Sequence, residues 1–205
     1  MLLEIHPQNP QERLIDQVVE CLKSGGIIIY PTDTIYGMGC DLHNAAAVEK
    51  LCKIKGINPK KLNLSFICCD LSHISEYTHQ IDNNVFRLLK RGTPGAYTFI
   101  LKASTKVPKI MGIAKKTVGI RVPDSKIINQ IVEKLGRPVL NTSVHSEDDI
   151  RQYLTDPDEI HDKFGKLVDI VIDGGIGGNE HSTVIECTDN DIYIVREGKG
   201  DISIV

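Results

Sequence analysis

Leu14, Val18 and Leu22 recur at the spacing that puts side chains on one helical face. With Asn9 as a cap and Pro10 at the first helical position, they predict a helix over residues 10–24, closed by Gly25-Gly26. The apolar run over residues 26–30 then reads as a short buried strand. Asn44 caps a second helix whose apolar side carries Ala47, Val48, Leu51 and Cys52. Residues 64–68 read as a strand, and residues 82–90 as a helix stopped by Gly92 and Pro94. Strands follow over residues 97–102 and 117–122, and a helix over residues 125–135 is closed by Gly136. Residues 139–142 and 168–172 are again strands, and residues 181–186 and 192–196 read as a closing antiparallel pair. Helices and strands alternate, yet hairpin-like neighbours end the chain. The expected fold class is α/β (α+β) with a twisted, mixed open sheet, not a purely parallel one. No repeat, low-complexity stretch or linker interrupts the pattern, so one domain over residues 1–205 is expected.

Composition narrows the class. The 41% apolar and 25% charged shares are those of an ordinary globular chain able to bury a core. No apolar run is long enough to span a bilayer, and the N-terminus lacks the basic, then apolar, pattern of a signal peptide. The expectation is a cytoplasmic protein with no membrane partner. Six cysteines are scattered at 21, 40, 52, 68, 69 and 187 without a C-x-x-C pair. They read as reduced thiols, with no zinc-ligand spacing and no metal site. A net charge of −3 argues against wholesale coating of nucleic acid but leaves room for a local basic patch.

Several segments carry candidate chemistry. Residues 30–39 follow a buried strand, where α/β proteins place ligands. Thr32, Asp33 and Thr34 supply short hydrogen-bonding groups there, and Gly37 and Gly39 permit close backbone approach. Lys50, Lys53, Lys55, Lys60 and Lys61 gather at the end of the second helix. They read either as a solvated, dipole-compensating face or as a clamp on a polyanion. Pro94-Gly95 feeds a strand carrying Thr98. Arg121 interrupts an apolar strand and needs an anionic partner, either a protein carboxylate or a substrate carboxylate or phosphate. Residues 140–146 run from a strand into Thr142, Ser143, His145 and Ser146, which suits phosphate binding or an ordinary polar turn before Glu147-Asp148-Asp149. Ser182, Thr183 and Arg196 sit in the closing pair.

The order of these segments resembles the YrdC-like family. Pro31-Thr32-Asp33-Thr34-Ile35-Tyr36-Gly37-Met38-Gly39 is similar to its PT[DE]TxYGLG opening. Lys53-Ile54-Lys55 stands where the family has K-x-R, and residues 94–98 resemble PGPxT. Arg121-Val122-Pro123 matches R-x-P, Ser143-Val144-His145 stands at S-x-N, and Ser182-Thr183-Val184 and Arg196-Glu197-Gly198 match STV and R-x-G. The resemblance runs from about residue 10 to residue 200 and is strongest to the single-domain YciO-like branch, through residues 87–102.

The resemblance implies a YrdC/RibB-like sheet with a large concave basic basin. It implies synthesis of L-threonylcarbamoyl-AMP and pyrophosphate from ATP, L-threonine and bicarbonate, for modification of tRNA. Mg²⁺ would accompany ATP. Thr34, Tyr36 and Arg121 would hold threonine, and Lys53, Lys55, Ser143 and His145 would serve the reaction centre. Thr98, Ser143, Ser182 and Arg196 would line the nucleotide site. Two positions depart from the family pattern: Lys55 replaces a bidentate arginine, and His145 replaces an asparagine. The alternative implied is a protein that binds nucleotide and double-stranded RNA or tRNA with weak or no synthase activity.

Overall fold

Helix α1 (Glu12–Lys23) buries Ile15, Val18, Val19 and Leu22 along one stripe. It begins later than its sequence signals suggest. Gln11 is the N-cap and makes no side-chain cap bond. The N–H groups of Gln8 and Asn9 donate to His6 Nδ1 at 3.1 and 3.0 Å. Asn9 therefore belongs to the turn before the helix, and Pro10 lies outside it.

The computed structural model describes residues 1–58, 65–109, 114–144, 153–188 and 191–205. Its strands are β1 (Leu2–Glu4), β2 (Ile28–Tyr30), β3 (Gly37–Asp41), β4 (Ser65–Ile67), β5 (Tyr97–Lys102), β6 (Thr117–Arg121), β7 (Val139–Ser143), β8 (Ile170–Asp173), β9 (Thr183–Glu186) and β10 (Tyr193–Arg196). The remaining helices are α2 (Ala45–Ile54), α3 (Leu71–Tyr77), α4 (Asn83–Gly92), α5 (Lys126–Leu135) and α6 (Pro157–Phe164). The strands form one open sheet in the order β1-β8-β2-β3-β7-β4-β6-β5-β9-β10. Pairs β1–β8, β2–β8, β4–β6 and β5–β9 are parallel, whereas β2–β3, β3–β7, β4–β7, β5–β6 and β9–β10 are antiparallel. The sheet is thus mixed, as the alternating pattern predicts. Asn44 caps α2 as expected, its Oδ1 accepting from the Ala47 N–H at 3.0 Å.

Both faces of the sheet are packed, but unequally. Helices α1 and α5 cover one face over Ile28, Tyr30, Ile67, Val139, Ile170 and Ile172. Helices α2, α3, α4 and α6 cover the other, over residues such as Ile29, Phe66, Phe99, Leu101 and Ile120. The cluster beneath α1 and α5 includes no residue of β5, β6, β9 or β10. Along β5 and β6 the alternate residues on the opposite side are mostly polar or small, Thr98 on β5 and Thr117, Gly119 and Arg121 on β6, with Ile100 of β5 among them. The same backbone therefore presents apolar side chains to one core and an uncovered, hydrogen-bonding surface to the opposite side.

Candidate functional site

That uncovered surface is the floor of an open cavity of about 570 Å³. Strand register brings its parts together. Gly37 on β3 pairs with Ser143 on β7, Ser65 on β4 with Gly119 on β6, and Thr98 on β5 with Val184 on β9. Of the residues singled out from sequence, Tyr36, Thr98, Arg121, Ser143, Ser182 and Arg196 all line it. Thr98 Oγ1 and Ser182 Oγ lie 2.9 Å apart, and Arg196 Nη2 donates to the Ser182 carbonyl at 2.9 Å. The rear strands β5, β9 and β10 are therefore tied into one wall.

The turn between β2 and β3 makes the opposite wall. Thr32 Oγ1 accepts from the Thr34 N–H at 3.1 Å and donates to the Ile35 carbonyl at 2.7 Å. Tyr36 is buried, and its hydroxyl donates to the Gly175 carbonyl at 2.7 Å. Burial pushes its phenol up to about 12. Arg121 ends β6 beneath this turn. Its Nη2 donates to Thr32 Oγ1 at 3.2 Å and to Asp33 Oδ1. The choice left open by the sequence thus has one answer within the protein: Asp33 is a resident carboxylate partner. Arg121 Nε, however, is buried with no hydrogen-bond partner among the described residues.

Other expected positions fall elsewhere. Thr34 is fully buried and does not line the cavity; its Oγ1 is 3.1 Å from that of Thr32. Thr32 presents the hydroxyl there instead. Lys53 is exposed and is not a lining residue. Lys50 turns away altogether, pairing with Asp169 at 2.8 Å. Lys55 reaches the lining indirectly, its Nζ donating to the Ser143 carbonyl at 3.0 Å. His145, Lys60 and Lys61 lie outside the described residues. At Gly37 and Gly39 the close approach is made by the protein itself. A Cβ on Gly37 would meet Asn141 Oδ1 at 2.6 Å, and one on Gly39 would meet the Leu140 carbonyl oxygen at 2.5 Å.

The cavity also contains residues not anticipated. Lys115 and Lys116 line it beside Thr117, so Lys115, Lys116, Arg121 and Arg196 face the single carboxylate of Glu186 among the described lining residues. Asn141 lines it while accepting from Tyr30 OH at 2.6 Å. His181 packs edge-on against Tyr153, with ring centroids 6.4 Å apart. Among the described residues, no group of three or more His, Cys, Asp or Glu side chains is arranged to hold a metal ion. No described helix is long and apolar enough to cross a membrane.

Burial, reinforced by Lys163, holds the Lys55 ammonium below lysine's ordinary value. Folding therefore disfavours its charged form, and the cost is relieved as pH rises from the depressed value towards 10.5, where the unfolded chain still binds the proton. Over that alkaline window the parent should gain stability relative to Lys55→Met. Urea unfolding at a series of pH values checks this, and two curves that stay parallel would contradict it.

A mixed ten-strand sheet, with helices on both faces and a cavity lined by cations and hydroxyls at one end, defines this chain as an α/β protein. Residues 20–198 match the model of the Sua5/YciO/YrdC family, described as "Telomere recombination", and the chain belongs to that family. It is 44% identical to the uncharacterized protein YciO of Escherichia coli (strain K12) over 97% of this chain and 95% of that protein. The crystal structure of E. coli YciO superposes with a TM-score of 0.90 at 42% identity, covering 100% of this chain and 98% of YciO. A threonylcarbamoyl-AMP synthase from Halorhodospira halophila is 27% identical over 85% of this chain and 90% of its own length. The crystal structure of P. abyssi Sua5 complexed with L-threonine matches with a TM-score of 0.85 at 25% identity, over 97% of this chain and 57% of Sua5.

Proposed function

We propose that this chain is a threonylcarbamoyl-AMP synthase acting in the cytoplasm on behalf of tRNA modification. The observation that carries the reading is the unspent, buried Nε–H of Arg121 beside a cationic cavity, in a fold shared with a Sua5 that holds L-threonine. The threonine carboxylate would take Arg121, with Thr32 and Tyr36 closing that end. The amine would add to bicarbonate, losing water to give a carbamate. A carbamate oxygen would attack the α-phosphorus of ATP, breaking the bond to the β-phosphate oxygen and releasing pyrophosphate. No covalent enzyme intermediate is needed, so the protein's part is positioning and charge neutralisation. Thr98, Ser143 and Ser182 would hydrogen-bond the nucleotide, and Arg196, Lys115 and Lys116 would balance its charge. Mg²⁺ would travel on the triphosphate, because the described lining offers Glu186 as its one carboxylate.

A second reading is favoured by one observation. Lys55 stands at the family's arginine and its Nζ is committed to the Ser143 carbonyl, which suits a protein that binds nucleotide, tRNA or double-stranded RNA without efficient synthesis. Pyrophosphate release with ATP, bicarbonate and a panel of amino acids separates the two. The synthase reading expects release that depends on L-threonine, and a rise in rate for Lys55→Arg, which returns a bidentate fork. ATP binding without release for any amino acid would leave the binding reading in its place.

A further inference from the structure

Arg121 is 5% exposed and Asp33 12% exposed, yet only Arg121 lines the cavity. We propose that Asp33 is a positioning residue, holding the Arg121 guanidinium so that its Nε–H stays unspent for a ligand carboxylate. This rests on the reading of the cavity as an amino-acid site. The geometry has three parts. Asp33 Oδ1 and Thr32 Oγ1 both accept from Nη2, which fixes one corner of the planar fork. Nε remains a buried donor with no partner among the described residues. The Asp33 main chain is itself anchored, because Lys199 Nζ donates to its carbonyl oxygen at 2.6 Å.

The arrangement has a physical logic. A buried guanidinium without a counter-charge is costly, and would draw any anion. Asp33 supplies that counter-charge from outside the cavity, so the empty site tolerates the cation. It takes one edge of the fork only. A buried N–H without an acceptor is itself unfavourable, and an incoming carboxylate oxygen would relieve that cost. The pair therefore selects for a ligand that places a carboxylate at one defined point, rather than for negative charge in general. Lys199 lies in the segment after β10, so the C-terminal end of the chain contributes to holding this turn.

Two readouts test the claim on the full chain. The first is the ¹⁵N–¹H resonance of Arg121 Nε, assigned by its absence in Arg121→Lys. It should be a single, exchange-protected signal in the parent and should be lost or broadened in Asp33→Ala. The second is calorimetric binding of L-threonine compared with L-threoninamide, which lacks the carboxylate. The parent's preference for the acid should fall roughly tenfold in Asp33→Ala, about the worth of one charge-assisted hydrogen bond. Asp33→Glu should restore part of it, and ATP affinity should not move. If Asp33→Ala does not fold, Asp33→Asn, which keeps an oxygen acceptor without its charge, should show a weaker form of both changes. An Nε–H signal and an acid-to-amide preference unchanged from the parent would overturn the proposal, as would equal weakening of both ligands. A parent that shows no preference for L-threonine over its amide would sink the amino-acid reading, whereas the Nε–H signal would still decide the role of Asp33.

Discussion

On the proposed synthase reading, Arg121→Ala should abolish threonine-dependent pyrophosphate release while ATP still binds. Arg121 Nε is a buried cationic donor without a partner among the described residues, at the cavity end farthest along β6 from Lys115 and Lys116. Removing a preorganised donor of this kind costs on the order of 100-fold or more in turnover. Thr98, Ser182 and Arg196, which the proposal gives to the nucleotide, are tied together on the other wall and should be undisturbed. The substitution also leaves Asp33, 12% exposed, without its cation. Breaking a buried pair by deleting one member destabilises by about 3–5 kcal/mol. Arg121→Lys separates the two effects. It keeps a charge near Asp33, so its urea midpoint should fall less, but it loses the planar fork and should remain nearly inactive. Parental turnover in Arg121→Lys would show that a point charge suffices and that the fork has no role.

Gly178→Ala should be nearly as damaging without touching any group in the cavity. Gly178 lies in the connection between β8 and β9, packed directly on the turn that carries Thr32. A Cβ there would run into the Thr34 carbonyl oxygen and lie 3.1 Å from its carbon. Both are backbone atoms of a buried residue, so no flexible side chain can swing aside. Overpacking of this kind costs about 1–3 kcal/mol. The larger effect is on function. A shift of about 1 Å in a positioning element can lower turnover on the order of 100-fold. Thr34 N–H is bound to Thr32 Oγ1, which in turn accepts from Arg121, so displacement of Thr34 passes straight to the guanidinium. Ile176→Ala is the control. Ile176 is in the same connection but 73% exposed, and its loss should leave both stability and turnover near the parent's. Equal behaviour of the two variants, measured by thermal unfolding and steady-state kinetics, would contradict the packing argument.

Much of this architecture is written in local pattern. The stripe of α1, the Asn44 cap of α2, β5 and the closing β9–β10 pair follow from spacing and capping chemistry that act within a few residues. β3 does not, because Gly37, Gly39 and Asp41 are poor strand formers on their own. They are held in the sheet by β2 and β7 on either side, and Gly39 is needed where the Leu140 carbonyl comes close. β1 is three residues long and finds its partner β8 near the opposite end of the chain, a contact no local window contains. α3 and α6 are seven and eight residues, too short to show a period, although Asp156-Pro157 carries a cap-then-proline start.

The site was legible in the same uneven way. Residues set by strand alternation, such as Thr98, Arg121 and Ser143, reach the cavity because register places them there. The small and polar residues at alternate positions of β6 and β7 were the available signal for Asn141 and Thr117. Side chains on helix ends and turns depend on long-range packing. Lys50 is taken by Asp169, a residue of the loop before β8, and Thr34 is buried behind Thr32. Lys115 and Lys116 carry no local signal of a site; only the place of β6 on the cavity floor brings them there.

The most direct test of the account follows the carbon of bicarbonate. The chain is incubated with ATP, L-threonine and ¹³C-bicarbonate, and the adenylates are resolved by mass spectrometry. The account predicts a threonylcarbamoyl-AMP that carries the label, forms in step with pyrophosphate and disappears in Arg121→Lys. Bound ATP with no labelled adenylate, or a label that appears equally in Arg121→Lys, would contradict it.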